Sequence, residues 1–311
     1  MTAPTARPVV LVIAGPTASG KSALAMALAE AVPVEIVSAD SRQVYRRLDI
    51  GTAKPTAAER ARVPHHAVDI REPDQTFNAG DFVTVARSAI AGITERGRLP
   101  ILCGGTGLYL RAAVDGFFDQ PSFGGEVRKE LERRLAAEGK EALYDELRSV
   151  DPAAARTMDP SKQRRVIRAL EVFRETGVPI SRFHAGHRKD DNYTAVWIGL
   201  RWERARLYER IERRVDRMME EGFLDECRGL AASGLDDRLQ ALQTVGYTEA
   251  FRCLRGEMDE REMVRLMKQN TRRFAKRQMT WFRKEERIRW FDVSSEEEAA
   301  GLTGKVLPLL R

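Results

Sequence analysis

Cysteine is scarce in this chain: 311 residues contain three, Cys103, Cys227 and Cys253, spaced far apart. No Cys-x-x-Cys pair occurs and no histidines stand at finger spacing, so neither a disulfide framework nor a zinc site is expected, and the thiols read as reduced and mostly buried. Histidine is as rare, four in all, with one adjacent pair, His65-His66, that reads as a packed loop. Apolar runs of bilayer-crossing length are missing, which leaves no helical membrane span to expect. The residues from Met1 to Pro8 lack the charged, apolar and cleavage regions of an export signal, so a cytoplasmic location is expected. Internal repeats, low-complexity tracts and an Asn-Lys-x-Asp guanine motif are absent too, and the last absence counts against a GTPase.

What is present is a globular composition, 43% hydrophobic and 32% charged, in a chain long enough for one large core, or a core with a smaller domain. The net charge is +6 and favours a polyanionic partner. It is unevenly spread: Ser161 to Lys189 holds eight Lys/Arg against two acidic residues, and Arg261 to Arg289 eleven against three. Both segments are rich in arginine, which suits bidentate phosphate contacts, although each also reads as a solvated helix face.

Apolar β-rich runs alternate with helical patterns in the first third: Val9 to Ala14, a helix to Ala31, Val34 to Ser38, Ala67 to Ile70, a helix near Gly80 to Arg96, then Leu99 to Cys103. This is the grammar of an α/β fold with a parallel sheet. From Val114 to Asn192 strand signals vanish, so residues 114–192 are expected to form an inserted, mostly helical domain. Residues 1–113 and 193–311 are expected to form the α/β core, which resumes at Tyr193 to Leu200 and again near Ile288 to Phe291. In the last long helix Met263, Met267, Phe274, Trp281 and Phe282 recur at helical spacing and read as core, while Arg265, Lys268, Arg272 and Lys276 form a second stripe.

The sharpest signal is Gly15-Pro16-Thr17-Ala18-Ser19-Gly20-Lys21-Ser22, lying between the first strand and the first helix. The spacing G-x-x-x-x-G-K-[ST] is that of a P-loop: backbone N–H groups turn toward phosphate oxygens, a helix N-terminus stands behind them, Lys21 adds an ammonium and Ser22 a hydroxyl for Mg²⁺. A diphosphate or triphosphate, ATP included, is the expected ligand. Asp40 ends the second strand within Ser38-Ala39-Asp40-Ser41-Arg42-Gln43-Val44-Tyr45, where ligands of open α/β sheets bind. Spacing leaves three roles open for it: general base, carboxylate near Mg²⁺, or helix cap. Gly104-Gly105-Thr106-Gly107 is a third close-approach turn, with Thr106 readable as a simple helix cap. Lys54, in Asp49-Ile50-Gly51-Thr52-Ala53-Lys54-Pro55, is uninformative alone.

These motifs, together with Pro64-His65-His66-Ala67-Val68-Asp69-Ile70, Arg168-Ala169-Leu170-Glu171 and Ala275-Lys276-Arg277-Gln278-Met279-Thr280-Trp281, occur in one order along nearly the whole chain. The chain thereby resembles the bacterial tRNA dimethylallyltransferases. The resemblance implies transfer of a dimethylallyl group from dimethylallyl diphosphate to the N6 amine of adenosine 37, beside the tRNA anticodon, with Mg²⁺ as cofactor; a monomeric or weakly associating enzyme is expected. It implies that Asp40 takes the amine's proton, that Thr106 lies at the reaction channel, and that Gly15, Thr17, Ala18, Ser19, Gly20, Lys21, Ser22 and Arg214 hold the diphosphate, Ser22 meeting the metal. It further implies tRNA contacts at Asp40, Ser41, Arg42, Gln43 and Thr106, at Arg128, at Gln163, Arg164, Arg165, Val166 and Ile167, and at Gln243, Thr244, Val245, Gly246, Tyr247 and Thr248. Relatives commonly carry a basic residue where Thr248 stands, so that contact is expected to be weakened, and the zinc finger of the eukaryotic relatives is missing.

Three other readings compete. A small-molecule P-loop kinase would use the same loop for ATP and Asp40 for an acceptor hydroxyl. A prenyltransferase acting on free AMP would need no large basic insertion. An RNA-binding protein without turnover would bind stem-loops and leave the diphosphate donor untouched.

Overall fold

The structure, a computed structural model, describes residues 7–116, 123–186 and 190–310. The chain divides into two compact units, Met1–Asp115 with Asp191–Arg311, and Gly116–Asp190.

The first unit begins with β1 (Val9–Ala14), α1 (Lys21–Ala31), β2 (Val34–Ser38), α2 (Ala57–Arg62), β3 (His65–His66), α3 (Ala79–Glu95), β4 (Leu99–Gly104) and α4 (Gly107–Asp115). The second unit holds α5 (Glu126–Val150), broken at Gly139, then α6 (Pro152–Thr157), α7 (Gln163–Thr176) and α8 (Ile180–Gly186). The first unit resumes with β5 (Thr194–Trp202), α9 (Arg204–Glu220), α10 (Phe223–Ala232), α11 (Tyr247–Leu254), α12 (Glu260–Phe282), β6 (Arg289–Val293), α13 (Glu296–Ala300), α14 (Thr303–Val306) and a closing 3₁₀ turn, Leu307–Leu310.

Six parallel strands form one sheet in the order β3-β2-β4-β1-β5-β6. Its inner strands are mostly apolar because both faces are covered, with Glu35 on β2 as a buried charged exception. Along β1, Val10, Val12 and Ala14 enter one core with Val37, Leu102 and Trp197, while Leu11 and Ile13 enter another with Leu24, Ile36, Ile101 and Ile198. Because every strand is parallel, the ends of β1, β2 and β4 open on the same edge of the sheet, and the three motif turns follow those ends.

Three expectations are corrected here. Residues 67–70 are not a strand: β3 is confined to His65–His66, since Ala67 (φ 60°) and Asp69 (φ 55°) are left-handed and cannot continue a ladder. His65-His66 is accordingly a short edge strand, with His66 Nε2 2.7 Å from Glu35 Oε2. Phe274 is 38% exposed, whereas Met263, Met267 and Phe282 are buried; the middle of the packed side of α12 is filled by Ala275 and Gln278 instead. Three members of its basic stripe are offset by carboxylates: Arg265 by Glu262, Lys268 by Asp216 and Arg272 by Glu212.

The strand ends are held close together. A Cβ at Gly104 would lie 2.2 Å from the Ala39 carbonyl oxygen, which already accepts the Thr106 N–H at 3.1 Å. Gly104→Ala is expected to cost about 1–3 kcal/mol of stability, the usual penalty of overpacking, read as a lower thermal midpoint. An unchanged midpoint would show that the two turns part freely.

The second unit has a core of its own, in which Leu131, Leu143 and Leu147 from α5 meet Val166, Ile167 and Leu170 from α7. At its margin Glu171 binds Arg128 (2.8 Å) and Arg168 (2.7 Å), which holds Glu171 below the usual carboxylate range despite its burial.

Candidate active site

The turn after β1 takes an unusual backbone path. Gly15 (φ 148°), Ala18 (φ 61°) and Gly20 (φ 87°) all have positive φ, and Gly20 caps α1 without a side-chain bond. The first N–H groups of α1 are therefore left for a ligand, and the helix dipole favours an anion there. Side chains pull the loop's carbonyls outward: Arg210 Nε donates to Ala18 O (2.9 Å) and Trp202 Nε1 to Ser19 O (2.9 Å). Arg210 also lies over the Trp202 ring, 4.5 Å from its centroid. Lys21 Nζ donates to Pro16 O at 2.6 Å, so its ammonium folds back across the loop.

Arg214, one turn beyond Arg210 on α9, donates to Thr17 Oγ1 (3.1 Å) and to Thr52 O (3.4 Å). It is the only one of the expected diphosphate ligands outside the P-loop, and the fold brings it onto that loop. Burial lowers Lys21 to about 8, with Arg214 pushing the same way. Burial also lowers Arg214, while the Asp40 carboxylate raises it. Two partly desolvated cations facing each other are poised to accept negative charge.

The turn after β2 is not a helix start. Asp40 Oδ1 accepts the Arg42 N–H at 2.8 Å, a local Asx turn that fixes the carboxylate at the end of the strand. The capping role read from sequence thus becomes a turn role. Thr106, in the turn after β4, accepts the Ser41 N–H on its hydroxyl at 3.2 Å, so its side chain is turned toward the Asp40 segment instead of capping α4. The hydroxyl proton remains available to a further acceptor.

The other expected site residues divide by what they touch. Ser19 is fully buried, and among the described residues its hydroxyl has no hydrogen-bond partner; it can serve a phosphate through its backbone N–H alone. Ser22 is exposed at the first turn of α1. Gln43 is an internal brace, accepting from Ser38 Oγ (2.7 Å) and donating to Ala53 O (3.0 Å). Arg42 reaches Gln240 O and Gln243 O, so it fastens the 240–243 loop to the Asp40 turn. Tyr247 is fully buried and its hydroxyl donates to Glu226 at 2.6 Å, and buried Gly246 donates to Glu249 at 2.7 Å. These two support the loop from within. Gln243 is exposed, and Thr244, Val245 and Thr248 are half-buried.

In the second unit, Gln163, Arg164 and Arg165 are exposed in the first turn of α7. Val166 and Ile167 are 2% and 3% exposed within that unit's core, so their side chains are withdrawn from any RNA. Arg128 is half-buried on Glu171.

Sequence reasoning assigned no role to three residues that shape the site: Trp202, Arg210 and Gln278. Lys54, uninformative in sequence, is buried and paired with Asp49 and Asp69, both at 2.6 Å. It braces the 49–54 segment on which Arg214 rests. Cys103 lines a cavity of ≈ 80 Å³ with Ser22, Met26, Ile36, Gln43 and Lys54. Burial raises its thiol to about 11, which keeps it protonated and inert at neutral pH.

The residue profile of the IPP transferase family matches residues 43–285, and that of the isopentenyl transferases residues 8–76. A tRNA dimethylallyltransferase of Trichlorobacter lovleyi is 52% identical over 91% of this chain and 93% of its own. Among solved structures, the tRNA isopentenylpyrophosphate transferase of Bacillus halodurans superposes with a TM-score of 0.71 at 42% identity, covering 98% of this chain and 97% of that one. A eukaryotic dimethylallyltransferase acting on tRNA superposes with a TM-score of 0.81 at 26% identity, covering 98% of this chain and 80% of that one.

Proposed function

The chain belongs to the IPP transferase family, and from that premise we propose that it transfers a dimethylallyl group from dimethylallyl diphosphate to N6 of adenosine 37 in tRNA, releasing diphosphate. The observation that carries this reading is Arg214: it is bonded to the P-loop at Thr17 and lies in the field of Asp40. An anion cradle and a carboxylate therefore share one place at the strand ends.

The chemistry follows from that sharing. The allylic C–O bond breaks and its electron pair stays on the diphosphate, where the P-loop amides, Lys21 and Arg214 meet the new charge. The N6 lone pair forms the C–N bond and the amine proton passes to Asp40. The Thr106 hydroxyl holds the Ser41 N–H and so fixes the turn that carries Asp40. The exposed Ser22 hydroxyl suits Mg²⁺, which takes one or two protein ligands and completes its shell with phosphate oxygens and water. When bound, the ion would neutralise charge on the leaving diphosphate.

Adenosine 37 must leave its stack to reach a site walled by three turns. We assign the grip on the anticodon stem-loop to the helical unit, where Gln163, Arg164 and Arg165 stand exposed in the first turn of α7, a place that favours phosphate. No described helix is long and apolar enough to cross a membrane, and we place the protein in the cytoplasm as a monomer.

Arg164→Ala is expected to weaken stem-loop binding and to reduce the slope of log affinity against log salt by about one. An unchanged slope would remove Arg164 from the phosphate contacts. The function itself is tested with isotope-labelled dimethylallyl diphosphate and an unmodified anticodon stem-loop: label should enter the RNA, and replacing adenosine 37 by guanosine should abolish it. Label entering the guanosine RNA equally well would refute the assignment of the acceptor.

A further inference from the structure

We infer that Gln278 is a positioning residue that sets the spacing between the diphosphate loop and the Asp40 turn. The inference rests on the transfer reaction proposed above and extends it to a side chain that bonds backbone groups of two site turns.

Gln278 projects from α12 and is 7% exposed. Its Oε1 accepts the Thr17 N–H at 2.9 Å, and its Nε2 donates to the Gly105 carbonyl at 3.0 Å. One amide thus joins the turn after β1 to the turn after β4. The connection continues from Gly105 into Thr106, whose N–H binds Ala39 O (3.1 Å) and whose hydroxyl binds the Ser41 N–H (3.2 Å). Thr17, Gln278, Thr106 and the Asp40 segment form one hydrogen-bonded chain across the site.

The chemistry of the side chain is specific to this place. An uncharged carboxamide can accept from one backbone group and donate to another at the same time; an ionised carboxylate only accepts and an ammonium only donates. The fit is close, because a Cβ at Gly105 would lie 2.2 Å from Gln278 Nε2. The helix that carries it is fixed on both sides. Lys268 pairs with Asp216 at 2.6 Å and Arg272 pairs with Glu212, both on α9, the helix that sends Arg210 and Arg214 to the P-loop. Beyond Gln278, Trp281 packs on Gly107 so tightly that a Cβ there would lie 2.1 Å from its ring, and Phe282 is fully buried. Gln278 therefore sits on a rigid strut between two anchors, as a residue that holds reacting groups at a set distance should.

The experiment compares Gln278→Leu and Gln278→Glu with the wild type. Gln278→Leu keeps the apolar volume and loses both bonds. Its kcat should fall by about 10- to 100-fold, the effect of a misplacement near 1 Å, while the Kd for the stem-loop stays within about threefold, since the exposed α7 residues to which the RNA grip is assigned are unchanged. In Gln278→Glu the ionised form loses the bond to Gly105, and the protonated acid restores both. Burial raises the pKa of such an acid, so the ratio of variant to wild-type kcat should rise as pH is lowered from about 8.5 to 6. Taking the ratio cancels the titrations that variant and wild type share. Wild-type kcat in Gln278→Leu, or a ratio independent of pH in Gln278→Glu, would overturn the inference. Amide hydrogen exchange at Thr17 gives a readout without turnover: it should quicken in Gln278→Leu, and unchanged exchange overturns the link. If the wild type itself transfers nothing, the reading of function has failed, and the Thr17 exchange still decides the role of Gln278.

Discussion

Asp40→Asn is expected to lower turnover by about 10²–10⁴-fold, the usual worth of a positioned acid or base, with little change in affinity for either substrate. Asparagine keeps an oxygen where Asp40 Oδ1 accepts the Arg42 N–H, so the turn survives and only the capacity to take a proton is lost. The adenine N6 lone pair is delocalised into the ring, which is why a nearby carboxylate matters as the C–N bond forms. The check is single-turnover kinetics beside stem-loop and diphosphate affinities. Turnover near the wild-type value would remove Asp40 from proton transfer and leave it only the turn.

Lys21→Met should lower turnover by about 10²–10³-fold, as removal of a donor aimed at developing charge does, and should weaken diphosphate binding as well. A pH signature separates this effect from a packing defect. Burial holds the free-protein Lys21 near 8, so the ammonium is charged below that pH and neutral above it. Affinity for diphosphate should therefore fall as pH rises through about 8 in the wild type, and the Met variant should lack that step. Stability responds in the opposite sense. The folded pKa lies below the ordinary 10.5, so the unfolded chain holds the proton more strongly, and this group's contribution to stability increases as pH rises from about 8 to 10.5. Identical pH dependence of binding in both proteins would remove Lys21 from contact with the diphosphate.

Much of this site was legible because its parts sit next to one another in sequence. The P-loop announces itself by spacing, and Asp40 and Thr106 follow β-rich runs that read as strands of a parallel sheet. Arg214 was legible through family resemblance alone, since on α9 it looks like any helix arginine; its partner Thr17 lies in a distant loop. Gln278 stands in one of the motifs that carry the resemblance, but its role was not legible, because a buried polar residue on a helix has no periodic signature and its two partners come from separate strand ends. In the second basic segment carboxylates from other elements offset Lys268 and Arg272, and such pairings depend on the fold. Val166, Ile167 and Tyr247 stand in stretches carried over whole from the resemblance, and burial separates their role from that of exposed Arg164 and Arg165.

The central claim is tested most directly by weighing RNA. Purified protein is incubated with Mg²⁺, dimethylallyl diphosphate and an unmodified anticodon stem-loop carrying adenosine 37, and the product is digested and examined by mass spectrometry. The account predicts a gain of one C5H8 unit on that adenine. An unchanged RNA, with label from the γ-phosphate of ATP appearing on a small acceptor in a parallel reaction, would contradict it and make the P-loop that of a kinase.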